Sequence, residues 1–172
     1  MKIQITKSPT ADTRSATEIP TKETLLRSSE QHIQDVRTAM MWMSFELDRI
    51  AQKHDFTKVE GIDSFHEDFA DGMRRKLAGL PNIFKERPWY QRHITEERHH
   101  LSDKHPDDVN LFDVLEQIAD CVTAGMARTG KVFDLNLSPE LLVKAYQNTA
   151  KLIQSNVEVV EPANEQQQKG KV

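Results

Sequence analysis

Residues 22–53, KETLLRSSEQHIQDVRTAMMWMSFELDRIAQK, contain neither glycine nor proline. Within them Ile33, Val36, Met40, Met43, Leu47 and Ile50 recur every three or four positions. That period draws one apolar stripe along an α-helix. The stripe fits a helix packed on a core and suits a homodimer interface as well. Met40, Met41 and Met43 read as core filler, because methionine packs irregular gaps.

The helical pattern continues downstream. In 61–79, Phe65, Phe69, Met73 and Leu77 step by four, and Gly79 with Pro81 stops the run. Pro88 suits the first turn of a third helix, expected to run through about Leu101. Residues 102–106 read as a loop. Asn110 is placed to cap a fourth helix with Phe112, Leu115, Ala119 and Val122 inward, ending before Gly130. A short extended piece over 132–137 precedes Ser138-Pro139-Glu140. That tripeptide supplies a capping hydroxyl, a first-turn proline and an acid at the positive end of the dipole. The last helix then runs to about Asn156. The expectation is an all-α fold of about five helices in a single domain over 22–157. Residues 1–21 read as a flexible N-terminal arm and 158–172 as a disordered tail.

Bulk properties narrow the function classes. A chain of 172 residues is long enough for one domain with a core. A net charge of -4 and a pI of about 6.0 argue against a general nucleic-acid binder. The single cysteine, Cys121, excludes an internal disulfide framework, fits a reducing cytoplasm and reads as a buried structural thiol. No apolar run approaches the roughly 18 residues of a membrane span. The first residues lack the apolar stretch of a secretory signal.

Seven histidines are present, five of them between His54 and His100. His54 and Asp55 are adjacent, so an imidazole and a carboxylate can reach one divalent ion, and Lys58 can reach an anionic substrate. On a continuous helix, His93, Glu97 and His100 share one face at steps of four and three. His99 points elsewhere and is the alternative ligand. The competing reading of this stretch is a polar helix surface. Asp120 lies between Ile118-Ala119 and Cys121-Val122, where a carboxylate is costly unless paired or metal-bound. Its alternative is pairing with Arg128. Asp113 and Glu116 share its side of the helix and are expected at the surface. Asp63 or Glu60 can act as a general acid or orient water, with surface solvation as the alternative. A divalent metal held by imidazoles and carboxylates makes hydroxide near neutral pH and polarises a phosphoryl oxygen. Phosphate-ester hydrolysis therefore suits the set. No P-loop glycine pattern, Gly-x-Ser-x-Gly elbow or Cys-x-x-Cys pair is present.

His54-Asp55-Phe56-Thr57-Lys58 resembles the His-Asp-x-x-Lys signature of the HD superfamily of metal-dependent phosphohydrolases. More narrowly, the chain resembles a largely phage-encoded HD-like family of unknown function. The resemblance covers about residues 29–150 through His32-Ile33-Gln34-Asp35-Val36, the doublet with Thr57-Lys58, Arg98-His99-His100, the segment Val109 to Asp120, and Asn148-Thr149. It implies an all-helical HD-like domain binding one or two divalent ions (Mn, Mg, Zn or Fe). His54, Asp55 and Asp120 would hold the main metal with His99 or His100 nearby, and His93 with one of those two would serve a second. Lys58 would meet the phosphate of a small-molecule substrate, by analogy a nucleotide. The compartment would be the cytoplasm, the host's if the chain is phage-encoded. Where related sequences often carry paired histidines, this chain has Arg92-His93. His32 is implied as a ligand, yet one unbroken helix from His32 to His54 would separate them by about 33 Å. It joins only through a helix break or from a partner subunit.

Three other readings stay open. HD-like proteins also include di-iron oxygenases. A ferritin-like site is prompted by Glu97-x-x-His100, a motif that should occur twice and is found once. A non-enzymatic phage accessory or interaction protein is the third.

Overall fold

A computed structural model describes residues 2–8, 14 and 16–162. It is mostly helical, as an all-α chain should be. Its described residues gather into two compact units, one within 1–46 and 152–162 and the other over 47–151.

The first unit carries most of the long helix α1 (Lys22–Ala51) and a strand pair, β1 (Ile3–Thr6) and β2 (Val157–Val160). Helix α1 starts where Thr21 Oγ1 accepts from Thr24 N at 3.2 Å, with Glu23 in its first turn and Arg49 in its last. The strands pair in parallel, Ile3 against Val157 through Thr6 against Val160. Both correct the sequence reading. Residues 3–6 were expected in a flexible arm and 158–160 in a disordered tail. Alternating β-branched residues in each instead satisfy one another's backbone, and Ile3 is fully buried. The rest of that arm and tail (1, 9–13, 15 and 163–172) lies outside the described residues.

The second unit contains the last turn of α1, then α2 (Phe56–Glu60), α3 (Ile62–Leu77), a 3-10 turn (Phe84–Glu86), α4 (Pro88–Glu96), α5 (Leu111–Thr129) and α6 (Pro139–Asn156), the last leaving the unit after Lys151. Helices α2, α3 and α4 pack together, α3 on α4 through stacked rings. Phe65 lies on Trp89 at 4.0 Å between centroids, and Trp89 lies on His93 at 4.8 Å. A second cluster of Leu101, Val109, Val114, Leu141 and Ala145 joins α5 to α6. Asn110 opens α5 with a complete capping box, and Gly130 closes it with φ 71°, a left-handed cap suited to glycine. Asn148 donates to Val109 O at 2.9 Å, and Leu111 N donates to Thr149 Oγ1 at 2.8 Å. The Asn148-Thr149 pair thus satisfies the backbone entering α5. Residues 132–137 form a strandless connection.

Helix α5 is rotated from its expected face. Phe112 is buried as expected, but Leu115, Ala119 and Val122 are exposed while Asp113 and Gln117 are buried and Glu116, Asp120 and Cys121 half-buried. The ion pairs of these acids, not the apolar period, set which side turns inward. No helix among the described residues is long and apolar enough to cross a membrane.

Candidate metal centre

After α1 the chain turns through 52–55, and Asp55 takes φ 57°, ψ 24°. It is the one non-glycine residue with positive φ among those described. Aspartate tolerates this left-handed region better than most residues. Asp55 precedes α2 yet makes no side-chain cap, so its carboxylate is left for the cluster.

Four imidazoles converge on that carboxylate. His54 Nε2 lies 3.4 Å from Asp55 Oδ2, and His93 Nε2 and His99 Nε2 lie 3.6 and 3.7 Å from Oδ1. His100 Nε2 meets His93 Nε2 at 2.7 Å. Asp120 Oδ1 is 3.7 Å from His54 Nε2. The three sets His54–His99–Glu116, Asp55–His93–His100 and His54–Asp55–Asp120 each bring ligand atoms close enough to hold a metal ion.

The opposite ring edges are occupied by acceptors. His54 Nδ1 is 2.9 Å from Glu116 Oε1, and His99 Nδ1 approaches the same oxygen at 3.2 Å without hydrogen-bond geometry. His93 Nδ1 is 2.6 Å from Thr57 Oγ1, whose proton goes to Glu97 Oε1 at 2.7 Å. Carboxylates or hydroxyls behind the far nitrogens are how metal-binding imidazoles are oriented.

Charge and desolvation fit a cation. His54 is pushed up to about 10, first by Asp120 and then by Glu116, against the opposing effect of burial. Burial would raise Glu116, but its hydrogen bond with His54 and the His99 imidazole beside it outweigh that and hold the group at about 2. Asp120 is lowered by the His54 imidazole beside it. Burial, then the neighbouring imidazole charge, pulls His93 and His100 down to about 4, leaving both neutral as ligands must be. Asp55 Oδ1 and both nitrogens of His99 are buried without a hydrogen-bond partner. Orphaned donor atoms of this kind, aimed at one another, fit a divalent metal ion.

Several expectations are corrected here. Helix α4 ends at Glu96, because Glu97 turns to extended backbone (φ -90°, ψ 105°). His99 and His100 therefore stand on a turn, and His99 faces the cluster instead of pointing away. Glu97 does not share the ligand face. It is buried and accepts from Thr57 N and Oγ1. Arg98 anchors the turn, gripping Asp113 through Nε at 2.7 Å and Nη2 at 2.9 Å. Asp113, expected at the surface, is therefore buried.

Lys58 Nζ donates to Asp55 Oδ2. Glu60 and Asp63 are solvent-exposed and belong to none of the ligand sets. His32 is exposed on the unbroken α1, in the first unit, and is likewise outside every ligand set. Glu116, expected at the surface, instead joins a ligand set with His54 and His99. Its spacing of four before Asp120 was the available signal.

Two clefts border the cluster. One of about 350 Å³ is apolar, lined by Leu47, Ile50, Leu115 and Ala119 beside His54 and Asp120. The other, about 380 Å³, is lined by Lys85, Ser102, Gln117 and Phe133 beside His99 and His100. Cys121, expected to be buried, lies half-buried in its wall. No protein-family model, curated protein or solved structure matches the chain.

Proposed function

We propose that this chain is a metal-dependent phosphohydrolase acting on a phosphate ester, by its HD-like resemblance a nucleotide, in the cytoplasm. The observation that carries the reading is the convergence of four imidazole Nε2 atoms and Asp120 around Asp55. A divalent ion held there would lower the pKa of bound water and polarise a phosphoryl oxygen. Asp55, His93 and His100 form one donor set, and His54, Asp55 and Asp120 the other. Thr57 with Glu97 fixes the His93 ring, and Glu116 fixes that of His54. Lys58, held by Asp55 at the margin of the cluster, brings a positive charge for the phosphate.

The test is elemental analysis of purified wild type beside Asp55→Ala, followed by a nucleotide panel with the metal found. The expected result is one or two ions per chain, phosphate release by the wild type, and loss of both in a folded variant. Wild-type protein that binds no divalent ion overturns the reading. So does phosphate release that survives the substitution.

One observation accommodates a second reading, a di-iron oxygenase, equally well. The two oxygens of Asp55 face different imidazoles, Oδ2 toward His54 and Oδ1 toward His93 and His99. A carboxylate between two donor sets suits a dinuclear centre of either chemistry. Iron as the bound metal, with colour that depends on air, selects the oxygenase.

A further inference from the structure

Helix α1 is mounted with its apolar side outward. Thr24, Ser28, Gln31, Asp35 and Thr38 are half-buried and Trp42 is buried. Leu26, Ile33, Val36 and Met40 are 57, 66, 46 and 59 % exposed. A helix serving only its own unit turns the other way. Ile3 and Trp42 are the buried hydrophobic residues of that unit among those described, which is a meagre core.

The apolar residues of α1 also follow a heptad, broken once by Ser29. With Leu26 at position a, the a series is Leu26, Ile33, Met40 and Leu47, and the d series is Ser29, Val36, Met43 and Ile50. An unpartnered helix has no reason to hold a seven-residue period against its own 3.6-residue turn. Two helices wound together do.

We propose that the α1 face from Leu26 to Met43 is a homodimer interface, two copies packing antiparallel about a two-fold axis near Gln34 and Asp35. In that register Ile33 meets Val36 of the second copy and Leu26 meets Met43. The flanking positions decide the direction. Antiparallel packing sets the exposed Glu30 against Arg37 of the second copy, and symmetry repeats the pair. Parallel packing would set His32 against Arg37 and Leu25 against Glu30, with no attraction. The four exposed seam residues uncover roughly 450 Å² per copy, about 900 Å² for the pair. Leu25, Met43 and the stems of Glu30 and Arg37 extend this toward the ~1,200 Å² at which stable interfaces begin.

The experiment is sedimentation of the full chain over a micromolar concentration series, with helix content checked by circular dichroism. Wild type should sediment as two chains, and Ile33→Glu as one chain of unchanged helicity, since Ile33 is exposed in the single copy. Glu30→Arg and Arg37→Glu should each weaken association roughly tenfold, and the double exchange should bring it back to within about threefold. A wild type that stays monomeric overturns the proposal, as does a dimer indifferent to Ile33→Glu. A double exchange as weak as either single one overturns the antiparallel register.

Discussion

The Thr57 hydroxyl lies 2.6 Å from His93 Nδ1 while giving its only proton to Glu97. Thr57 must therefore accept at its other side, so His93 carries its proton on Nδ1 and turns a lone pair outward on Nε2. All three residues are buried, which keeps water from scrambling the arrangement. Replacing Thr57→Val removes the acceptor while preserving shape. Metal affinity, measured by competition with a coloured chelator, should fall about 10–100-fold. Thr57→Ser should restore it. Nitrogen chemical shifts of the His93 ring should show the tautomer fixed in wild type and mixed in Thr57→Val.

Asp55 serves by conformation as well as by charge. Its φ of 57° turns the chain between α1 and α2 and puts His54 and the carboxylate on the same centre. Asparagine keeps the left-handed preference and loses the charge, whereas alanine loses both. Asp55→Asn and Asp55→Ala should both lose the metal. In metal-free thermal unfolding, Asp55→Ala should be less stable than Asp55→Asn by about 1 kcal/mol. Equal stabilities would mean that the backbone at this turn is not strained for alanine.

The doublet, the paired histidines and the late aspartate were legible in the sequence because each is a local pattern of chemically rare groups. So were the helices, through breakers and caps such as Asn110, Pro139 and Gly130. Which face of each helix turns inward was not legible. Apolar period assigns the inside of α5 to Leu115 and Ala119, yet Asp113 is drawn in by Arg98 and Glu116 by two histidines. Arg98 lies 15 residues before Asp113 and His54 lies 62 before Glu116, each on a different element, so no helical period links the partners. The same limit misjudged the facing of His99. A helix continued past Glu96 turns it away, and only the extended backbone at Glu97 brings it round. The β1–β2 pair joins residues more than 150 apart, beyond any periodicity argument.

Gly125 is a place where the usual effect of alanine in a helix should reverse. A Cβ there would sit 2.4 Å from Lys131 O and 2.7 Å from Phe133 N, both backbone atoms that no rotamer change can clear. In a free helix, Gly→Ala stabilises by up to about 1 kcal/mol. Here the connection over 131–133 must lift, and the bond from Phe133 N to Cys121 O at 3.2 Å breaks with it. Urea unfolding of Gly125→Ala should show a net loss of about 1–3 kcal/mol. Metal content should hold, because no ligand lies on that connection. Phe133 and Asp134 do line the cleft beside His99 and His100, so substrate binding should weaken with the metal still in place.

The metal-free protein should have a stability maximum near neutral pH, with different groups responsible on each side. His93 and His100 are depressed to about 4 in the folded chain and return to about 6.5 on unfolding. Between those values the unfolded chain binds more protons, so stability falls as pH drops from about 6.5 toward 4. Glu116, at about 2 when folded, adds a further loss once pH falls below its ordinary value near 4.5. His54 acts in the opposite sense. Raised to about 10, it binds its proton more tightly when folded. Its contribution is complete below about 6.5 and disappears as pH rises through 10. Chelator-treated protein should therefore lose urea resistance in both directions. His54→Gln should flatten the alkaline limb and shrink only the part of the acid limb that Glu116 supplies, and His100→Gln should reduce the acid limb alone. An alkaline limb unchanged in His54→Gln would show that Glu116 and Asp120 do not hold a proton on that ring.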